Sequence, residues 1–119
     1  AFDDPQHCKV LSAGSIEAMY ARPPGLAGHD AAGKPKEVYY SLGWMNRAAG
    51  DDRVNHWHTG SLPGTATILI RRHDGRSLIA LFNARSSAEA KHFGAAIDAR
   101  LHQAAEEVRQ WPPRDLFQP

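Results

Sequence analysis

An α+β fold, with a short N-terminal helix, an antiparallel sheet of three to four strands and a long C-terminal helix, is what this sequence predicts on three observations. Short apolar runs, Ile68–Ile70 and Leu78–Phe82, are separated by Asp74-Gly75 and preceded by Pro63-Gly64, the punctuation of hairpin turns. Phe93, Ile97, Leu101, Ala104, Val108 and Trp111 recur at roughly helical spacing and form a packing stripe. Ser12 opens a segment with Ile16, Met19 and Tyr20 on one face, and Arg22-Pro23-Pro24 closes it.

In chain order, Ala1–Lys9 reads as an irregular arm with a turn at Asp3-Asp4-Pro5. His7 and Cys8 are adjacent, but no second pair stands at a metal-ligand spacing and no third group orients a nucleophile. Cys8 is the sole cysteine, so the chain forms no internal disulfide. A helix runs from Ser12 to Ala21, and residues 27–36, rich in Gly, Ala, Pro and charge, form a surface loop. Glu37–Met45 is expected as one strand, with Tyr40, Leu42 and Trp44 on one face and Tyr39, Ser41 and Gly43 on the other. Asn46–Arg53 is expected as a loop whose Asp51 and Asp52 are solvated.

Three strands then follow as a meander: one ending near Thr59, one over Thr65–His73 and one over Ser77–Ala84. Their apolar residues fall on both faces, which predicts that both faces are covered at least in part. Arg71-Arg72 reads as a solvated strand end. Ser86 and Glu89 have capping-box spacing, so the last helix is expected from there to about Gln110, before Pro112-Pro113. His92 and His102 are placed on its polar face.

Composition narrows the function classes. Fourteen basic and 13 acidic residues nearly balance, and Trp44, Trp57 and Trp111 are not interleaved with cations, so nucleic acid is not an expected partner. The apolar runs are far too short for a membrane span, and mean hydropathy is −0.49. No signal pattern begins the sequence, no metal set is evident and no cofactor is expected.

The chemistry concentrates at Asn55-His56-Trp57-His58-Thr59-Gly60-Ser61-Leu62-Pro63-Gly64. Alternation puts Val54, His56 and His58 on one strand face and Asn55, Trp57 and Thr59 on the other. A titratable ring, a hydroxyl and a glycine that uncovers the backbone suit the edge of an anion-binding cleft; the plainer reading is a hairpin loop with a chance histidine pair.

His58-Thr59-Gly60, continued by Ser61-Leu62-Pro63-Gly64, resembles the last conserved block of the serine β-lactamase and penicillin-binding protein superfamily, class C β-lactamases and related esterases in particular. Leu11-Ser12 through Ser15-Ile16 and Met19, Tyr40-Ser41-Leu42-Gly43-Trp44, and Asp74-Gly75 with Leu78 through Asn83 resemble neighbouring blocks of the same superfamily. The resemblance spans nearly the whole chain and implies that residues 1–119 are a single partial domain, the C-terminal third of a β-lactamase-like fold. The superfamily's nucleophile block, Ser-x-x-Lys, and its Tyr-x-Asn or Ser-x-Asn block do not occur here.

The resemblance implies a serine hydrolase that transfers an acyl group from an ester, amide or β-lactam to water. His58 would be its basic group, Thr59 its site-lining hydroxyl, Gly60 its close-approach residue and the Ser61 backbone N–H an oxyanion-hole donor. It also brings His29 and Asp30 near the site mouth and allows a periplasmic or secreted location. The isolated chain is expected to be inactive. Its partners would be the missing N-terminal part of the fold or a second copy of itself. A noncatalytic ligand-binding module and a structural assembly domain are the alternatives.

Overall fold

The computed structural model describes residues 8–111; His7 and Pro112-Pro113, named above, lie outside them. Helix α1 spans Ala13–Tyr20, with Ser12 as its N-cap accepting the Ser15 N–H at 3.1 Å. Ile16, 2% exposed, anchors it to the sheet.

The strand expected over residues 37–45 is only β1 (Val38–Tyr40), and the segment expected as a loop over residues 46–53 begins within a second strand, β2 (Met45–Ala48), so the sheet has five strands rather than three or four. Gly43 turns the chain at φ +85°, and the Ser41 N–H bonds the Trp44 carbonyl at 2.8 Å. Asn46, fully buried, supports this turn: its Nδ2 donates to Ser41 Oγ at 2.9 Å and the Trp44 carbonyl at 3.1 Å. Its Oδ1 accepts from His56 Nδ1 at 2.7 Å, which fixes the proton on that ring nitrogen. Tyr40-Ser41-Leu42-Gly43-Trp44 is therefore a strand end and a turn, because a buried amide satisfies the turn's polar groups and competes with a continuous strand.

Strands β3 (Val54–Leu62), β4 (Thr65–Arg71) and β5 (Ser77–Phe82) form the expected meander. Leu62 pairs with Thr65 across Pro63-Gly64, and Arg71 pairs with Ser77 across the Asp74-Gly75 turn. The sheet order is β1-β2-β3-β4-β5, every neighbour antiparallel.

Helix α2 (Phe93–Glu107) lies against one sheet face, over buried Ala66, Ile68 and Ile70. It begins well after Ser86. Ser87 Oγ accepts the N–H groups of Glu89 and Ala90 and donates to the Glu89 carboxylate at 2.8 Å, so Glu89 belongs to a separate turn closed by Ser87 and not to a capping box with Ser86. The helix is also rotated from the expected stripe. Gly94 and Ala105 are buried, whereas Ala104 is exposed; Val108 and Trp111, 38% and 46% exposed, lie beyond the helix, which ends at Glu107 rather than near Gln110. A Cβ on Gly94 would lie 3.1 Å from the Thr67 carbonyl and 3.2 Å from Thr59 Cγ2, so glycine permits the close approach that sets this phase.

The opposite face is only half covered. Tyr20 of α1 stacks on His56 with ring centroids 3.7 Å apart, closing the β1–β3 end. Beyond it Leu69, Ile79 and Leu81 remain 37%, 61% and 76% exposed, so the cover expected on both faces is only partial on this one. Among the described residues no helix is long and apolar enough to cross a membrane.

Candidate functional site

His58, Thr59, Gly60 and Ser61 occupy the second half of β3, opposite Leu69, Ile68, Thr67 and Ala66 of β4. The period of two divides them between faces. His58 stands on the half-covered face, where its Nε2 lies 3.2 Å from Tyr40 Oη and the two rings meet edge-on. Thr59 and Ser61 project towards the α2 side. Gly60 is required by proximity, since a Cβ there would come within 2.5 Å of Thr67 Oγ1.

Of β3, strand β2 pairs with Val54–Trp57 alone, so β3 outruns it from His58 onward. The Ala49 N–H bonds the Arg53 carbonyl at 2.7 Å, which fixes the parity of this ladder. Residues 53, 55 and 57 turn their backbone groups towards β2, and by the same alternation Thr59 and Ser61 turn theirs to that side, past the end of β2. A cleft of about 340 Å³ is lined by Thr59, Gly60 and Ser61 together with Arg85, His92 and Phe93 at the start of α2. The structure thus brings three of the four expected residues to one cleft and directs His58 to the other side of the strand.

A larger cavity, about 570 Å³, lies between α1 and the sheet and is lined by Tyr20, Tyr39, His56 and Arg22 among others, but by none of those four. Arg22 lies 4.0 Å over the Tyr39 ring and donates to the carbonyls of Gly28 and Lys36, closing the 27–36 loop against β1. Within that loop Asp30 Oδ1 accepts the N–H groups of Ala32 and Lys34, a local turn of its own. Cys8 is half-buried, and its Sγ accepts the Leu11 N–H at 3.1 Å.

The most highly charged cluster was not anticipated from the sequence. Arg47 of β2 makes a bidentate pair with Asp98 of α2 at 2.6 and 2.9 Å. Arg72, expected as a solvated strand end, is 6% exposed and meets Asp74 at 3.1 Å and His102 at 2.7 Å. His102, expected on a polar face, lies between the two guanidinium groups, because α2 is turned to bring Asp98, His102 and Glu106 towards the sheet. Their i, i+4 spacing was the available signal.

Burial lowers the His102 pKa below the ordinary histidine value; Asp98 opposes this, while Arg47 and Arg72 reinforce it. Burial would raise the Asp74 carboxyl, but the bond from the Arg76 N–H and the charges of Arg72 and Arg76 bring it below the ordinary value. Among the described residues no group of three or more His, Cys, Asp or Glu side chains is disposed to hold a metal ion.

No protein-family model, curated protein or solved structure matches this chain.

Proposed function

We propose that this chain is the C-terminal portion of a β-lactamase-related serine hydrolase and supplies one wall of an acyl-transfer site. The open edge of β3 beyond β2 carries this reading. Thr59 and Ser61 face that edge with backbone donors and acceptors, as an extended acyl substrate lying alongside a strand requires. The Ser61 N–H would donate to the oxyanion, where a preorganised donor acts on charge that develops only in the transition state. His58, on the adjoining face with Tyr40 at its Nε2, would handle a proton delivered from a nucleophile on the remaining part of the fold.

The test has two arms. The 119-residue chain alone should turn over neither nitrocefin nor p-nitrophenyl acetate; saturable hydrolysis abolished by His58→Ala would overturn the division of the site. In the complete reading frame, a fluorophosphonate probe should acylate a serine within Ser-x-x-Lys, and Thr59→Val should slow that acylation more than it lowers the melting temperature. An unlabelled, folded full-length protein would refute the hydrolase reading.

The exposed Leu69, Ile79 and Leu81 support a second reading, an assembly element whose sheet face is covered by another chain or by the rest of its own. A full-length protein that resists the probe and buries this face in a stable oligomer would favour it.

A further inference from the structure

His102 is placed where an uncharged imidazole can accept one hydrogen bond and a charged one can accept none. Arg47 Nη2 lies 2.8 Å from its Nε2, and Arg72 Nη1 lies 2.7 Å from its Nδ1. Guanidinium nitrogens only donate, and a neutral imidazole has one nitrogen able to accept. The neutral ring therefore accepts from one of the two arginines and turns its N–H to the other; Asp98 Oδ1, 3.6 Å from Nε2, lies beyond hydrogen-bond distance. Protonation places an N–H on both ring nitrogens, so the one attractive guanidinium contact of the neutral ring is lost and both become opposed.

The surrounding charges are arranged so that this change bears on the attachment of α2. Asp98 and Glu106, one turn before and after His102, belong to the helix; Arg47 comes from β2, while Arg72, Asp74 and Arg76 come from the β4–β5 turn. Asp98 is already engaged by both Arg47 nitrogens, and Glu106 is largely exposed at 3.4 Å from Arg72, so neither is free to compensate a new cation fully. Arg76 Nη1 donates to the Ala105 carbonyl at 2.9 Å, the neighbouring contact on the same end of the helix.

We propose that His102 is an acid-sensitive latch: its neutral ring holds the C-terminal half of α2 on the sheet, and its protonation releases that half while the β3–β4 core stays folded. The lowered pKa of this histidine, caused first by burial, agrees with a ring that stays neutral until the solution is acidic. Release would uncover the buried Ala105, so the device would control access to the α2-covered face.

Hydrogen exchange of the whole chain, corrected for the intrinsic pH dependence of exchange, tests the latch between pH 7.5 and pH 5. Amides of the second half of α2 should exchange on the order of tenfold faster at pH 5, comparable to loss of one hydrogen bond to a charged group, with β4 amides unchanged. His102→Gln, uncharged throughout, should remove that pH step. Equal protection of α2 at both pH values in the native chain would overturn the proposal, as would a step that persists in His102→Gln, since carboxylates would then be responsible. If His102→Gln fails to fold, imidazole ¹⁵N shifts of the native chain decide: His102 should titrate together with the α2 amide shifts, and independent titrations would refute the latch.

Discussion

At Gly60 there is no room for a side chain, because the Thr67 hydroxyl on the paired strand occupies the space where a Cβ would project. Gly60→Ala should lower stability by about 1–2 kcal/mol, an overpacking cost. Thr67→Ala removes the blocking oxygen and leaves the next atom, Thr67 Cβ, at 3.8 Å, so the double variant should recover most of the loss. A denaturant double-mutant cycle measures this; additive losses would show that the glycine is needed for backbone reasons instead. His102 and Asp74 give the pH dependence. Both folded pKa values lie below their unfolded values, so their contributions are present above about pH 6.5 for the histidine and above about pH 3.8 for the aspartate. Each contribution is lost as the pH falls through the folded value. Urea midpoints should therefore decline in two acid steps, and His102→Gln should abolish only the upper one.

On the scale of elements, the phase of α2 is the departure with most consequence. Hydrophobic periodicity put Ala104 on the buried stripe, whereas the helix buries Ala105 to 4% exposure and leaves Ala104 in solvent. Ala105→Glu should cost about 3 kcal/mol by burying an unpaired charge. Ala104→Glu should change stability by no more than about 0.5 kcal/mol, as surface substitutions do. Thermal unfolding of the two variants distinguishes the phases, and the reverse ranking would restore the stripe read from sequence. The same element-level logic separates β1 from β2: nine residues of strand composition are broken by one positive-φ glycine and one buried asparagine.

For the whole molecule, the uneven cover of the sheet governs behaviour in solution. Helix α2 closes one face, α1 closes part of the other, and Leu69 of β4 with Ile79 and Leu81 of the outer strand β5 form an open apolar patch. Strand β5 has no charged residue and no proline to discourage pairing along its free edge. The isolated chain should therefore self-associate at micromolar concentration, and Ile79→Lys with Leu81→Lys should return it to monomer. Sedimentation equilibrium reads this directly: a single 13.1 kDa species for the native chain would sink the expectation.

The sequence by itself determined the α+β class, the α1 cap at Ser12, the β3–β4–β5 meander and the division of His58 from Thr59 and Ser61. Each rests on local chemistry: a capping hydroxyl, two turn dipeptides and the period of a strand. Tertiary structure decided the break at Ser41–Trp44, the phase of α2 and the burial of Arg72 and His102. Those outcomes depend on partners distant in the chain. Asn46 holds the turn with its Oδ1 satisfied by His56, and Arg72 is buried where Asp74, His102 and Glu106 meet it. The open edge at Thr59 and Ser61 belongs to the same category, since it exists because β2 ends opposite Trp57. A one-dimensional pattern records how apolar each residue is, but the cost of burying a charge or leaving an edge unpaired is set by what the folded chain brings within hydrogen-bonding distance.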